Sequence, residues 1–186
     1  MIAPSPDTAR RYTRRLGIKV RSEAWEDETA PLRLRPLTKP LGAIRRIAVV
    51  GAISQQKGYD LLLQAARLVA TKKLPLEFVV VGFTADDSRL LATGVVRITG
   101  RYQEAEAGAV IAAQNADFAF LPAQWPETWS YVLTQIWHAG LPVIALDLGA
   151  PAERIKARKG GMVVPPHLPL ERLVGVFLDP GLFRQV

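Results

Sequence analysis

With 186 residues, 49% of them hydrophobic, this chain can bury the core of one domain, and no run of about 18 apolar residues marks a membrane span. The absence of cysteine excludes a disulfide framework and a thiolate metal site, and fits a reducing cytoplasm. The net charge of +7 invites a nucleic-acid partner, but residues 47–186 hold 13 Lys and Arg against 12 Asp and Glu, too balanced for a binder driven by phosphate neutralisation.

The surplus lies in residues 1–46, with 11 Lys and Arg against 5 Asp and Glu, and suits an acidic membrane surface, a nucleic acid or a neighbouring domain, or is simply a solvated helix face plus linker. A short helix opens there: Ser5 is its N-cap, Pro6 fits the first helical position and Asp7 complements the positive N-terminus. It runs to about Leu16, turns Arg10, Arg11, Arg14 and Arg15 to solvent, and ends at Gly17. From Ile18 to Pro40 no period holds and three prolines interrupt, which predicts a linker and not a domain of its own.

At Ile44 the pattern changes. Ile47 to Ile53, Leu76 to Val81, Val95 to Thr99, Phe118 to Leu121, Pro142 to Leu146 and Met162 to Val164 are short apolar runs, the signature of strands buried on both faces. Between and after them, helical spacing holds over Lys57 to Lys73, Gln103 to Gln114, Ser130 to Ala139, Pro151 to Arg158 and Leu170 to Leu178. Alternation of this kind predicts an α/β fold: a Rossmann-like, doubly wound parallel sheet. Ligands of such sheets bind outside the carboxyl ends of the strands.

Two of those ends carry useful chemistry. Gly51 to Gly58, GAISQQKG, joins a strand to a helix with glycine at both ends and Lys57 near the helix start. Backbone N–H groups and the helix dipole there suit a phosphate, although the order matches neither G-x-G-x-x-G nor Walker A. A plain connection with an exposed lysine fits the same residues. Glu127 lies ahead of a helix whose first amides, at Ser130, Tyr131 and Val132, are free to meet an anion. It either accepts hydroxyls of a ligand or merely caps that helix; Gln135, two turns on, suits neutral hydroxyls. Trp125, Trp129, Tyr131 and Trp137 crowd the region. Trp137 reads as core, whereas Trp125 and Trp129, in the loop, are the expected exposed walls of a site.

Other candidates are weaker. Arg101 and Tyr102, just past a strand end, are placed to meet a base or phosphate, or simply form a surface loop. His138 and His167 have no acidic neighbours at metal-ligand spacing, so no metal is expected. Asp86-Asp87 reads as a solvated pair at a short helix's start, and no G-x-S-x-G elbow is present.

Taken together, Gly51 to Asp60 and PETWSYVLTQIWHAGLPVIALDLGAPAE (126–153) resemble the C-terminal domain of retaining GT-B glycosyltransferases of the group 1 family. The strand-end glycine loop has its Lys-Gly pair, the first glutamate of the E-x7-E motif matches Glu127, and Ala139 to Val143 and Gly149 to Glu153 follow as the A-G-x-P-V and G-x-P-E elements. The resemblance covers about residues 44–166 and implies one half of a GT-B fold, with a nucleotide-sugar donor and a role in polysaccharide biosynthesis. It implies that Lys57 holds the donor's diphosphate and Glu127 meets the transferred sugar, these two being the catalytic positions. The amides of Ser130, Tyr131 and Val132 would meet phosphate, Gln135 the ribose, and Gly100, Arg101 and Tyr102 the base, with Gly51, Ala52 and Trp129 completing the donor site. Neither a cofactor nor a metal is implied, since basic groups and helix dipoles stabilise the leaving diphosphate.

The chain departs from the family pattern at two positions. Gln135 stands for the second glutamate, and Ala52 for the arginine expected after Gly51. The resemblance also divides the chain into residues 1–43, a remnant of an N-terminal acceptor domain plus linker, and residues 44–186, the donor domain. Most of the acceptor domain and the C-terminal helix that crosses back are then missing. The expected partners are the nucleotide-sugar, that N-terminal domain, a saccharide or lipid-linked acceptor and, through the basic segment, the inner face of the membrane. No nucleic acid is expected. The fragment would transfer nothing alone. The alternative is a degenerate Rossmann-like interaction module without catalysis.

Overall fold

In the computed structural model, which describes residues 1–179, the apolar runs form one parallel sheet. Its strands are β3 (Arg45–Ile53), β4 (Leu76–Thr84), β5 (Val96–Ile98), β6 (Phe118–Leu121), β7 (Val143–Leu146) and β8 (Gly161–Val164), following a small pair β1 (Ile2–Ala3) and β2 (Arg21–Ser22). The helices are α1 (Pro6–Leu16), α2 (Tyr59–Lys72), α3 (Asp87–Leu91), α4 (Ala107–Ala113), α5 (Tyr131–His138), α6 (Gly149–Arg158) and α7 (Leu170–Leu178). The six-stranded order is β5-β4-β3-β6-β7-β8. Chain order runs outward from β3 in one direction and resumes beside it with β6 in the other. That reversal is a topological switch point, and it opens a crevice beyond the carboxyl ends of β3 and β6.

Both faces of the sheet are covered, which explains why its strands read as continuous apolar runs. On one face Ile47, Val49, Phe78 and Val80 meet α2 and α7, and Phe177 of α7 packs against Phe78, Phe118 and Phe120 at ring separations of 6.2, 6.0 and 5.0 Å. On the other, Ala48, Val50, Val79 and Val81 share a core with Ile111 of α4, Leu133 and Ile136 of α5, and Ile155 of α6. Burial of these side chains on both faces, at roughly 1.5–3 kcal/mol each, is what holds the sheet between its helices. No helix among the described residues is long and apolar enough to cross a membrane.

The elements match the sequence expectations with instructive shifts. α1 starts at Pro6 behind the Ser5 cap, whose Oγ accepts the Thr8 N–H at 3.2 Å, and it closes at Gly17. α2 begins only at Tyr59, so Lys57 sits in the turn before the helix and not within it. The stretch expected as one helix over Gln103 to Gln114 splits into a 3₁₀ turn, Glu104–Glu106, and α4. β1 and β2 are invisible to periodicity because each is two residues long. The domain expected over residues 44–186 ends, at residues 180–186, outside the described residues.

The segment before β3 is irregular, as expected, but it is tied to the body. Glu153 of α6 accepts the Asp7 N–H at 2.7 Å and pairs with Arg10 at 2.5 Å. Arg35 donates to the Ala139 carbonyl at 2.9 Å, and Lys39 meets Asp117 at 2.7 Å. Arg11, Arg14 and Arg15 point to solvent, as the helical spacing predicts.

Candidate functional site

The turn after β3 and the loop after β6 meet in the crevice, and one glycine makes that possible. Gly58 has φ +86, and a Cβ there would sit 2.0 Å from the Pro122 carbonyl oxygen. A side chain is thus excluded by both sterics and backbone conformation. The Gln124 N–H donates to the Gln56 carbonyl at 3.2 Å, which stitches the two loops together. Lys57 and Glu127 are brought face to face as a result, with Nζ 3.7 Å from Oε1. Lys57 keeps 39% of its side chain exposed and Glu127 only 14%. The pair is in Coulombic contact but beyond hydrogen-bond length, so an entering anion can displace the carboxylate from the ammonium.

Glu127 is held from behind by α6. Gly149 has φ +62, and a Cβ there would come within 2.7 Å of the Glu127 carbonyl oxygen. This approach lets the Ala150 N–H donate to the same oxygen at 3.0 Å. The loop then enters α5 through Ser130, an N-cap with φ 80 and ψ 85 and no side-chain capping bond. In the first turn the Leu133 N–H folds back to the Ser130 carbonyl at 3.2 Å. The Tyr131 and Val132 amides precede any intrahelical acceptor and stay available to a ligand.

Two hollows flank this helix start. A narrow one of about 30 Å³ lies among Lys57, Trp125, Glu127, Ser130 and Val132. A wider cleft of about 440 Å³ is lined by Gly51, Ala52, Arg101, Tyr102, Tyr131 and Gln135, with Val132 bordering both. That volume lies within the roughly 300–1,000 Å³ typical of small-molecule sites. The Arg101 guanidinium stacks 3.9 Å over Phe83, and Phe83 is the register partner of Ala52. The Tyr102 hydroxyl has its pKa raised by burial and, secondarily, by Glu104, so it stays a neutral donor at physiological pH. Gly100 shapes the turn into Arg101 without lining the cleft.

The structure thus brings together Gly51, Ala52, Arg101, Tyr102, Tyr131, Val132 and Gln135 around one cleft, with Lys57, Glu127 and Ser130 in the hollow beside it. Trp129 is a correction. Its loop position predicts an exposed wall, yet only 3% of it is accessible, and its Nε1 donates to Glu26 at 2.7 Å. A partner 103 positions away satisfies the indole N–H, so burial leaves no donor unpaired. Trp125, 46% exposed, does stand at the rim. Trp137 is core, donating to the Gly160 carbonyl at 2.8 Å.

Two other readings, those of Asp86-Asp87 and His138, are settled locally. Asp86 caps α3 and accepts from Ser88 and the Arg89 N–H, which hold its carboxyl below the usual range, while Asp87 accepts from both the N–H and hydroxyl of Thr84. His138 is an exposed helix-end residue. Among the described residues no three His, Asp or Glu gather into a group able to hold a metal ion.

Sequence reasoning missed Arg154 and its partners Glu26 and Glu28, which lie directly under the loop. Trp25 of the same segment stacks on Tyr131, with ring centroids 6.2 Å apart. The only sequence signal was an arginine one residue past the Gly149 to Glu153 element, and nothing local paired it with carboxylates more than 120 positions earlier.

Chemically, the arrangement offers a lysine and the positive end of a helix to an anion, and a carboxylate and an amide to hydroxyls on either side of it. The family model described as glycosyl transferases group 1 matches residues 44–174. A comparison with curated proteins by sequence finds no relative. Among solved structures, a point mutant of TarM from S. aureus, in complex with fondaparinux, alpha-GlcNAc-glycerol and UDP, superposes with TM-score 0.70 at 13% identity, over 98% of this chain and 36% of that one. The lipopolysaccharide outer core galactosyltransferase WaaB, in its apo form, gives 0.68 at 16% identity, over 100% of this chain and 53% of its own. The C-terminal domain of the group 1 family protein LpcC from Francisella tularensis gives 0.57 at 17% identity, over 77% and 80%. The chain therefore spans about a third to a half of TarM and WaaB, and most of the isolated LpcC domain.

Proposed function

This chain belongs to the group 1 family of glycosyltransferases, and from that membership we propose that it is the nucleotide-sugar donor-binding half of a retaining enzyme. The transferred sugar would pass from a nucleoside diphosphate to a saccharide or lipid-linked acceptor. The observation that carries this reading is the meeting of Lys57, Glu127 and the α5 amides at one switch point. When the bond from the anomeric carbon to the diphosphate breaks, charge grows on the leaving phosphate. Lys57 and the amides of Tyr131 and Val132 face that charge and stabilise it without reorganising. Glu127, freed from Lys57, accepts hydroxyls of the sugar, and Gln135 does the same for the ribose across Val132. UDP in the TarM complex supports a nucleoside diphosphate as the ligand class. The acceptor would be held by residues outside this donor-binding half.

Glu127 gives this reading a signed test. In the unliganded site its carboxylate competes with phosphate for Lys57. Glu127→Gln removes that competition and is expected to tighten UDP, GDP or ADP, whichever binds, by about twofold to fivefold, the range for a partly exposed ion pair. The matching nucleotide-sugar is expected to gain less, because the contact to its sugar is weakened. Calorimetry on the two ligands decides it; a loss of nucleoside diphosphate affinity in the variant would contradict the placement. The degenerate-module reading is favoured by Ala52 and Gln135. It predicts no thermal shift with millimolar UDP, GDP, ADP or their sugars, whereas the donor-site reading predicts stabilisation by at least one.

A further inference from the structure

Beneath the loop carrying Glu127, the guanidinium of Arg154 is only 4% exposed. Burying such a charge is costly unless its donors are used and paired. Arg154 meets that condition in full view of the candidate site. Its Nε donates to Glu28 at 2.9 Å, and its Nη2 donates to the Thr134 hydroxyl at 2.6 Å and lies 3.6 Å from Glu26. Its plane stacks 3.9 Å over Trp129. Glu26 in turn accepts from both Trp129 Nε1 and Thr134 Oγ1 at 2.7 Å, which closes the network. Burial pulls the guanidinium's pKa down, and Glu28 and Glu26 oppose that shift.

The remaining donor, Nη1, reaches two consecutive carbonyls, those of Trp129 at 3.1 Å and Ser130 at 2.7 Å. No peptide among the described residues is cis, so the carbonyl and N–H of one peptide point in opposite directions. Taking those two oxygens therefore turns the N–H groups of Ser130 and Tyr131 away from Arg154, where these residues border the hollows. A charged hydrogen bond on a peptide oxygen also polarises that peptide and strengthens its N–H as a donor. Ser130 needs such help: a serine at φ 80 and ψ 85 holds that backbone only where its surroundings impose it.

We propose that Arg154 is a positioning residue for phosphate binding, acting through the Ser130 and Tyr131 peptides, with Glu26 and Glu28 of the preceding segment holding it in pose; this rests on the donor-site reading above. Seating of residues 26–28 is thereby coupled to the shape of the anion site, although those residues touch no ligand. The coupling is specific to phosphate. A nucleoside alone, which relies on the wider cleft, is indifferent to it.

Arg154→Met by itself strands two carboxylates under the loop and is expected to unfold the region. The informative variant is the neutral triple, Glu26→Gln, Glu28→Gln and Arg154→Met, which removes the charges together. Replacing a buried ion network by neutral groups often leaves stability intact, so a melting temperature close to the unmodified chain is expected. UDP, GDP and ADP are then titrated against uridine, guanosine and adenosine. The triple variant is expected to lose at least about tenfold in affinity for the diphosphate that the unmodified chain binds, with the nucleoside unchanged. A folded triple variant that holds the diphosphate as tightly as before overturns the inference, as does an equal loss for diphosphate and nucleoside. If the unmodified chain binds none of the three diphosphates, the donor-site reading itself falls and takes this inference with it.

Discussion

Replacing Lys57 with alanine is expected to weaken nucleoside diphosphate binding by about tenfold to a hundredfold, the loss of one or two charge-assisted hydrogen bonds to phosphate. Stability should hardly change, because the Lys57–Glu127 pair is 3.7 Å long and Lys57 is 39% exposed, so solvent screens most of it. The two measurements together are diagnostic. A lysine that merely decorates a turn would leave both unchanged, and one that holds the loop in place would lower the melting temperature first. Ala52 sharpens the expectation. Where the family pattern places an arginine the chain has a methyl group, so Lys57 is left as the flexible cation beside the α5 amides, and its removal has little to fall back on.

The second large effect lies one residue further on. Gly58→Ala would drive a methyl group to 2.0 Å from the Pro122 carbonyl oxygen while forcing a side chain onto a backbone at φ +86. The left-handed backbone costs about 1–2 kcal/mol and the overpacking about 1–3 kcal/mol more, and the clash is with main chain, which cannot rotate aside. A loss of about 2–5 kcal/mol in a urea or thermal melt is expected. Diphosphate affinity should fall as well, because the displaced turn carries Lys57 away from Glu127. An alanine variant with an unchanged melt would mean that the two loops are not packed as described.

The alternation of buried strands and amphipathic helices made the sheet legible from sequence, since a strand covered on both faces can only read as a run such as IAVV or FVVV. The strand order, and with it the switch point, is not written in that alternation; it was the family resemblance that put Lys57 and Glu127 in one site, and the structure places them 3.7 Å apart. What escaped was decided by partners distant in the chain. Trp129 looked exposed because loops usually are; Glu26 and Arg154 bury it, and neither is near it in sequence. Glu153 belonged to a recognised element, yet its carboxylate is engaged at the start of α1 through Asp7 and Arg10. The segment before β3 had no period to read, and its order comes from single contacts, Glu26 and Glu28 to Arg154 and Arg35 to Ala139, which leave no pattern in the chain itself.

Those contacts also give the irregular segment a physical role. It is a strap whose carboxylates balance a buried guanidinium under the start of α5, and whose Trp25 covers Tyr131. Loop, strap and α6 therefore form one unit around Glu127. Substitutions in the strap are expected to register at the donor site before they register in the sheet core.

The central claim is that this crevice is built around a diphosphate. Calorimetric titration of the unmodified chain with UDP, GDP and ADP, each beside its own nucleoside, tests it most directly. At least one diphosphate should bind at least about tenfold tighter than its nucleoside, and that margin should shrink as salt is raised, because part of it is Coulombic. If no diphosphate bound tighter than its own nucleoside, or none of the three bound at millimolar concentration, the claim would be contradicted.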